Sequence, residues 1–194
     1  MQEQLDTPQW STYGSTHNTY ADLFMDSGDF TRARHHLEKA LEIWSVAGES
    51  HPNVSIALNN LGNLSNREGR FQDAQLRCEQ AVSIDADRHG DDFPGLAYPL
   101  SCLGEAYLGL GESLQAVHVL ERAHRFRDDS DVDPLRLAWS RWLLGRALWE
   151  SGTDRIRGRE YVMFAHDQFS KHADAATSEL ADVVKWLRDN AEDK

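Results

Sequence analysis

The segment Leu61–Gly69 reads LGNLSNREG, and it returns twice in the chain, as LGEAYLGLG at 103–111 and as LGRALWESG at 144–152. A looser copy, YADLFMDSG, occupies 20–28 and has alanine in place of the leading glycine. The four leading small residues are spaced by 41, 42 and 41 positions, and each copy ends on a glycine seven positions later. Self-similarity at such a period is typical of stacked supersecondary units, none of which buries its apolar face alone. The sequence therefore predicts a solenoid.

Each repeat carries apolar residues at helical spacing on both sides of its last glycine. The second copy shows the two stripes as Leu58, Leu61 and Leu64 before the glycine and Phe71, Ala74, Cys78 and Ala81 after it. Steps of three and four residues place such side chains on one helix face. Prolines, which begin a helix without loss of a backbone hydrogen bond, fall between the repeats at Pro52, Pro94, Pro99 and Pro134. We therefore expect each repeat to be a helix, a tight glycine turn and an antiparallel helix.

The period also predicts how the chain is organised. An N-terminal extension is expected over 1–12, and it either lengthens the first helix or forms a tail. Four helix pairs follow, at about 13–53, 54–94, 95–134 and 135–176. The remaining segment, 177–194, is expected to form a capping helix and a short tail, because its apolar residues share one face. Those residues are Leu180, Val183, Val184 and Leu187.

The charge and composition narrow the classes of function. The formal net charge of -12 disfavours binding to nucleic acid, and it favours a partner with basic or neutral contact residues. No apolar run approaches the roughly 18 residues of a membrane span, and the N-terminus lacks a secretion leader, so we expect a cytoplasmic protein that does not bind membranes. The two cysteines, Cys78 and Cys102, lie inside helical patterns and are expected to be buried, reduced thiols.

These residues resemble the tetratricopeptide repeat (TPR). The best copies of its pattern are Leu61-Gly62 with Gly69 and Ala74, and Leu103-Gly104 with Tyr107, Gly111, Ala116 and Leu120. The first copy departs from it at Ala21, and in the fourth copy Gly158 stands in for the alanine of the second helix.

The period is longer than the usual TPR length of about 34 residues. His51-Pro52 followed by ALNNLG at 57–62 is similar to the long repeats of kinesin light chains and of many bacterial signalling proteins. The stretch from Gly145-Arg146-Ala147-Leu148-Trp149 to Trp186-Leu187 is similar to the arrays that follow kinase domains in myxobacterial serine/threonine kinases. No kinase motif occurs in this chain, so the second resemblance implies an accessory binding part only.

The resemblance implies an all-α, right-handed superhelix of four antiparallel helix pairs plus a capping helix, without a cofactor. It also implies a concave groove lined by positions two, five, nine and twelve of each first helix. The groove positions counted in this way, repeat by repeat, are Asn18 and Asp22, then Asn59, Asn63 and Asn66, then Tyr98 and Glu105, then Trp139, Trp142, Arg146 and Trp149. The last four point within about 80° of one another on an ideal helix.

Amides toward one end of the groove and aromatics toward the other predict an extended or helical peptide as the ligand. Asparagine side chains would bond its backbone, and the tryptophans would receive an apolar or cationic anchor. An alternative for the tryptophans, and for Trp142 above all, is that they pack against the capping helix. Asn18, Asp22, Asn59 and Asn63 do not reproduce the basic clamp of chaperone-type arrays, so a terminal carboxylate is not expected as the main determinant.

Metal and catalytic motifs fail at their diagnostic positions. Glu121 and His124 form a Glu-x-x-His unit without the second unit that a metal bundle requires. Asp129, Asp131 and Asp133 have calcium-loop spacing, but proline follows where glycine is required, so a role at a helix start is expected instead. The sequence therefore predicts a non-catalytic adaptor for a protein or peptide. A self-associating scaffold is the alternative, and a small-molecule sensor or enzyme comes third.

Overall fold

The computed structural model describes residues 7–46, 48, 51–127 and 133–191, and this part of the chain forms nine α-helices and one short 3₁₀ turn. The helices are α1 (Thr7–Asp26), α2 (Phe30–Ser45), α3 (Pro52–Arg67), α4 (Phe71–His89), α5 (Ala97–Gly109), α6 (Ser113–Arg125), α7 (Pro134–Ser151), α8 (Arg155–Lys171) and α9 (Thr177–Asp189), and the 3₁₀ turn is Pro94–Leu96. The first eight pack as four consecutive pairs, each pair against the next, and α9 packs on α8. The predicted all-α superhelix with a terminal helix is confirmed.

The turn inside each pair is made by a glycine in the left-handed backbone conformation. The φ angles of Gly28, Gly69, Gly111 and Gly152 are 75°, 72°, 76° and 72°. A Cβ atom is disfavoured there, so glycine ends the first helix at the same place in every repeat. After the first three glycines, the next amide donates to a carbonyl five residues back at 2.8 to 2.9 Å. The repeated glycine of the sequence is therefore a repeated helix stop.

Small residues lie where the helices cross. Ala40, Ala81, Ala123 and Ala165, which recur at the repeat period, are fully buried in the second helices of the pairs. In the last pair the backbones themselves touch, because a Cβ added to Gly145 would lie 2.8 Å from the carbonyl oxygen of Gly158. Close helix packing thus explains why the period specifies small side chains.

The two cysteines differ from expectation. Cys78 of α4 and Cys102 of α5 form a disulfide, so the prediction that both are reduced thiols was wrong. The stacking of the second pair on the third brings the two side chains together beside Gly62. A Cβ on that glycine would lie 2.5 Å from the Cys78 sulfur and 2.7 Å from the Cys102 sulfur. The missing side chain of Gly62 therefore provides the space in which the sulfurs meet.

The helix starts follow the sequence signals. Pro52, Pro94 and Pro134 each occupy the first position of their element, and Pro99 is the third residue of α5. Asp133 accepts hydrogen bonds from the backbone amides of Leu135 and Arg136, at 2.8 and 3.4 Å, which confirms its predicted role at a helix start.

The other two residues of the calcium-loop pattern, Asp129 and Asp131, lie outside the described residues. The segment expected as an extension over 1–12 is helical from Thr7 onward, so α1 includes Tyr13, and 1–6 lie outside the description. Among the helices described, none combines the length and the apolar character that crossing a membrane requires.

A histidine pair bridges α1 and α2. The Nδ1 atoms of His17 and His36 lie 2.9 Å apart, and the ring of Phe24 stacks on His36 with 5.4 Å between centroids. Loss of solvent lowers the pKa of His36, and the positive charges of His17, His35 and Arg32 lower it further. The folded protein therefore resists protonation at this position more than the unfolded chain does.

We expect this depressed pKa to make the first pair sensitive to acid. Below about pH 6.5 the unfolded chain binds a proton at this histidine more readily than the folded protein, so stability is lost as the pH falls toward the lower pKa of folded His36. Urea unfolding at pH 7.5 and 5.5 measures the effect. His36→Gln should shrink the difference in unfolding free energy between the two pH values, and His118→Gln, an exposed control on α6, should not. Equal pH differences in the wild type and His36→Gln would contradict the assignment.

Candidate functional site

The first helices of the pairs and α9 line four neighbouring cavities that share residues, and together we call them the groove. The largest has a volume of about 640 Å³ and is lined by Met25, Phe30, Asn63, Asn66, Arg67, Glu105, Trp139, Ser178, Glu179 and Asp182. Glu105 and Trp139 also line two adjoining cavities of about 320 and 280 Å³. Asn59 and Tyr98 connect the 320 Å³ cavity to a fourth one of about 400 Å³. Neighbouring cavities of the groove therefore share lining residues, and together they extend from the first and second repeats to α9.

Eight of the predicted groove residues line at least one of the four cavities. They are Asn59, Asn63, Asn66, Tyr98, Glu105, Trp139, Trp142 and Arg146. Their helices, α3, α5 and α7, lie side by side because the repeat period holds equivalent positions in register. That these residues contact a partner stays a prediction.

The two positions predicted in α1 lie apart from this set. Asn18 and Asp22 line none of the four cavities. The amide oxygen of Asn18 instead accepts a hydrogen bond from Asn60 Nδ2 at 2.8 Å, which ties α1 to α3. Partial desolvation raises the pKa of the Asp22 carboxyl, and the neighbouring charge of Asp26 raises it further.

The tryptophan stripe of α7 divides into two parts. Trp142 and Trp149 are buried and meet the ring of Trp186 of α9 edge to face, with centroids 5.9 and 5.5 Å apart. Trp149 Nε1 also donates to Asn190 Oδ1 at 3.0 Å. α9 covers this face of the fourth pair, and these two indoles become core. Trp139 is only partly buried, and it stays on the wall of the groove.

Glu105 lies at the meeting point of three of the cavities and has no ion pair within the described chain. Its hydrogen-bond donor there is Asn66 Nδ2, at 3.4 Å. Burial raises the pKa of the Glu105 carboxyl to about 7, although the charges of Arg146 and Arg67 act in the opposite direction. An unpaired carboxyl in such a place costs folding free energy, which is typical of a functional site.

Asn66 leaves a second unmet acceptor beside that carboxyl. Its side-chain Nδ2 donates to the Cys102 carbonyl at 3.0 Å, while its Oδ1 is buried and accepts no hydrogen bond from the part of the chain that the structure describes. The residue as a whole is only 6% exposed. The orientation of the amide follows from that carbonyl contact, because an oxygen facing the Cys102 carbonyl would be repelled. The centre of the groove therefore holds more hydrogen-bond acceptor capacity than donor capacity.

Four arginines of the groove are engaged within the protein. Arg146 Nε pairs with Glu150 at 3.2 Å, and Arg67 donates to the Met25 carbonyl at 3.3 Å. Arg136 donates to the hydroxyl of Tyr98 at 2.8 Å, and Arg127 donates to that of Ser101 at 3.2 Å. The contacts of Arg67 and Arg136 join neighbouring repeats, and none of the four arginines forms an ion pair with Glu105, although the charges of Arg146 and Arg67 lower its pKa.

The acidic wall supplied by α9 was not foreseen in the sequence. Glu179 and Asp182 lie on the polar face of that helix and line the largest cavity. The amphipathic pattern of 177–189 was visible in advance, but the direction in which its polar face points depends on how α9 docks on Trp142 and Trp149.

The residues weighed as metal ligands have other contacts: Glu121 pairs with Arg157, and His124 contacts the Tyr161 hydroxyl at 3.3 Å.

Comparisons with known proteins agree with this architecture. Residues 12–87 match the sequence profile of the tetratricopeptide repeat. The structure is similar to that of BtubC (BKLC) from P. vanneervenii, with a TM-score of 0.69 and 20% identity over 88% of this chain and 68% of that chain. It is also similar to the nearly identical TPR-like repeats of a kinesin light chain candidate from Podosopora anserina, with a TM-score of 0.66 and 19% identity over 95% of this chain and 99% of that one.

At these identities the likeness to solved structures concerns the fold alone. No curated protein matches the sequence significantly. The repeated glycine turns, the buried small residues and the matched profile nevertheless point to one architecture. The chain therefore has the fold of a tetratricopeptide repeat superhelix, in which residues 12–87 match the sequence profile of the repeat and the later helix pairs share the fold.

Proposed function

We propose that the protein is a non-catalytic adaptor that holds a segment of a partner protein in the groove. TPR folds generally serve as protein–protein interaction modules, and this one carries a series of neighbouring cavities across α3, α5, α7 and α9. The series of four cavities with shared lining residues is the observation that carries the proposal. A small molecule would fill one cavity, whereas an extended peptide uses several in series.

The groove offers separate partners for the backbone and the side chains of such a segment. Asn63 presents an amide, which both donates to and accepts from a peptide backbone. Ile56 and Tyr98, which are 48% and 52% exposed, line the 400 Å³ cavity and form an apolar anchor point there. Trp139 supplies an aromatic wall beside Glu105. A bound segment would therefore place an apolar side chain near Tyr98 and run toward α9.

The likeness of the stretch from Gly145 to Leu187 to kinase-linked arrays favours a bacterial signalling assembly in the cytoplasm as the setting. In that setting the protein recruits its partner and leaves the chemistry to other components. This placement rests on the sequence resemblance, and the groove proposal does not depend on it.

We expect peptides selected from a random display library against the wild-type protein to bind at least tenfold more weakly to Trp139→Ala. The indole covers apolar and cationic side chains, and aromatic anchors dominate many interfaces. Fluorescence polarisation with synthetic copies of the selected peptides gives the affinities. Leu76→Ala, an exposed apolar position of α4 that lines none of the four cavities, is the matched control and should bind as the wild type does. If the selected peptides bind Trp139→Ala as tightly as the wild type, and circular dichroism shows that the variant is folded, binding in the groove is refuted.

A further inference from the structure

We propose that the largest cavity of the groove, beside Glu105, binds an arginine or lysine side chain, so that the partner segment is a basic peptide. This inference rests on the proposed function, because it names the chemistry of the segment that the groove holds.

The charges that line this cavity favour a cation. Three carboxylates, from Glu105, Glu179 and Asp182, face one guanidinium, that of Arg67. Arg67 is exposed and is engaged by the Met25 carbonyl, and Glu105 has no ion pair within the described chain. A cation brought by a ligand would therefore meet a carboxylate whose charge Arg146 and Arg67 offset only in part, since its pKa stays raised, and burial strengthens such a pair relative to one in water.

Two residues beside Glu105, Asn66 and Trp139, could contact a bound arginine or lysine side chain. The buried Oδ1 of Asn66 has no hydrogen-bond partner among the described residues, so a small shift of that amide would let it accept from a guanidinium or an ammonium held by Glu105. Trp139 lines the same cavity and presents an aromatic surface for the cation or for the methylene stem. The volume of about 640 Å³ is far larger than a metal ion needs, and it accommodates a long side chain with part of its backbone.

The raised pKa of Glu105 makes the site sensitive to pH. The charged groups that share its three cavities are Arg67 from α3, Arg127 after α6, Asp133, Arg136 and Arg146 at and within α7, and Glu179, Asp182, Lys185 and Asp189 from α9. A bound cation requires the carboxylate form, and half of the free protein carries the carboxylic acid near pH 7. Binding of a basic peptide should therefore weaken by about tenfold between pH 8 and pH 6, because the ionised fraction falls by that factor.

The test uses peptides selected from a random display library and then synthesised in matched pairs. In the second member of each pair, arginine is replaced by citrulline and lysine by norleucine, which removes the charge and keeps the length. Fluorescence polarisation gives the affinity of each member for the wild type, for Glu105→Gln and for Glu38→Gln. Glu38 is exposed on α2 and lines none of the four cavities, so its substitution removes the same charge from outside the groove.

We expect the selected peptides to contain arginine or lysine and to lose at least tenfold in affinity when neutralised. The same peptides should bind Glu105→Gln about tenfold more weakly than the wild type, and their affinity for that variant should not depend on pH. Their affinity for Glu38→Gln should equal that for the wild type. Peptides that require Trp139 but bind equally well when neutralised would overturn the basic-peptide proposal and leave the adaptor function standing. A screen that yields no Trp139-dependent peptide would overturn both.

Discussion

Trp142→Ala is expected to lower the free energy of unfolding by about 3–5 kcal/mol, as is usual when a buried tryptophan is truncated. The indole is 3% exposed and meets Trp186 edge to face, so its removal opens a cavity between α7 and α9. The docking of α9 should weaken in particular, because that helix packs on α8 and on the tryptophans of α7. Urea unfolding gives the total loss, and amide exchange shows whether α9 opens before the rest of the chain.

Trp139→Ala is the matched control for this change. It removes the same side chain less than one turn earlier on the same helix, but from a partly buried position on the groove wall. We expect it to cost less, about 1 kcal/mol, because the indole is only partly buried where it packs against the core, and this is the central value for point substitutions. Equal losses for the two variants would mean that both tryptophans are core residues and would remove Trp139 from the binding surface. A small loss for Trp142→Ala would mean that α9 is not docked as described.

Gly145→Ala is expected to destabilise the last helix pair by about 1–3 kcal/mol, the usual cost of overpacking. A Cβ at this position would lie 2.8 Å from the Gly158 carbonyl oxygen and 2.9 Å from Val162 Cγ2. The nearest atom belongs to backbone, so rotation of a side chain cannot relieve the clash, and α7 and α8 must move apart. Alanine otherwise favours a helix over glycine by about 1 kcal/mol. A net loss of unfolding free energy would therefore come from the close contact between α7 and α8. Thermal and urea unfolding measure it.

Gly95→Ala supplies a comparison with the same chemical change. There the three nearest atoms that a Cβ would meet belong to the ring of Phe93, which is a side chain and can shift, whereas the nearest atom at Gly145 is backbone. We expect a loss below about 1 kcal/mol at that position. If Gly145→Ala is as well tolerated as Gly95→Ala, the close contact between α7 and α8 does not exist in solution.

The groove shows how far position in the repeat can be trusted. Counting along the first helices placed Asn63, Asn66 and Glu105 on one surface, because a fixed period holds equivalent positions in register. The same count placed Trp149 in that surface, and the structure buries it under α9. The repeat is broken at its C-terminal end, where the packing surface must be covered by an element that does not repeat, and no periodic argument describes that contact.

The pattern of glycines and small residues was by itself enough to determine the helix pairs, their turns and their stacking. These features depend on local backbone conformation and on close helix crossings, both of which leave a signature in residue type at fixed spacing. The disulfide between Cys78 and Cys102, the acidic wall of α9 and the isolation of the Glu105 carboxyl were decided only by the tertiary structure. Each depends on where side chains from different repeats meet in space, and these distances follow from packing between helices whose contact residues differ from copy to copy.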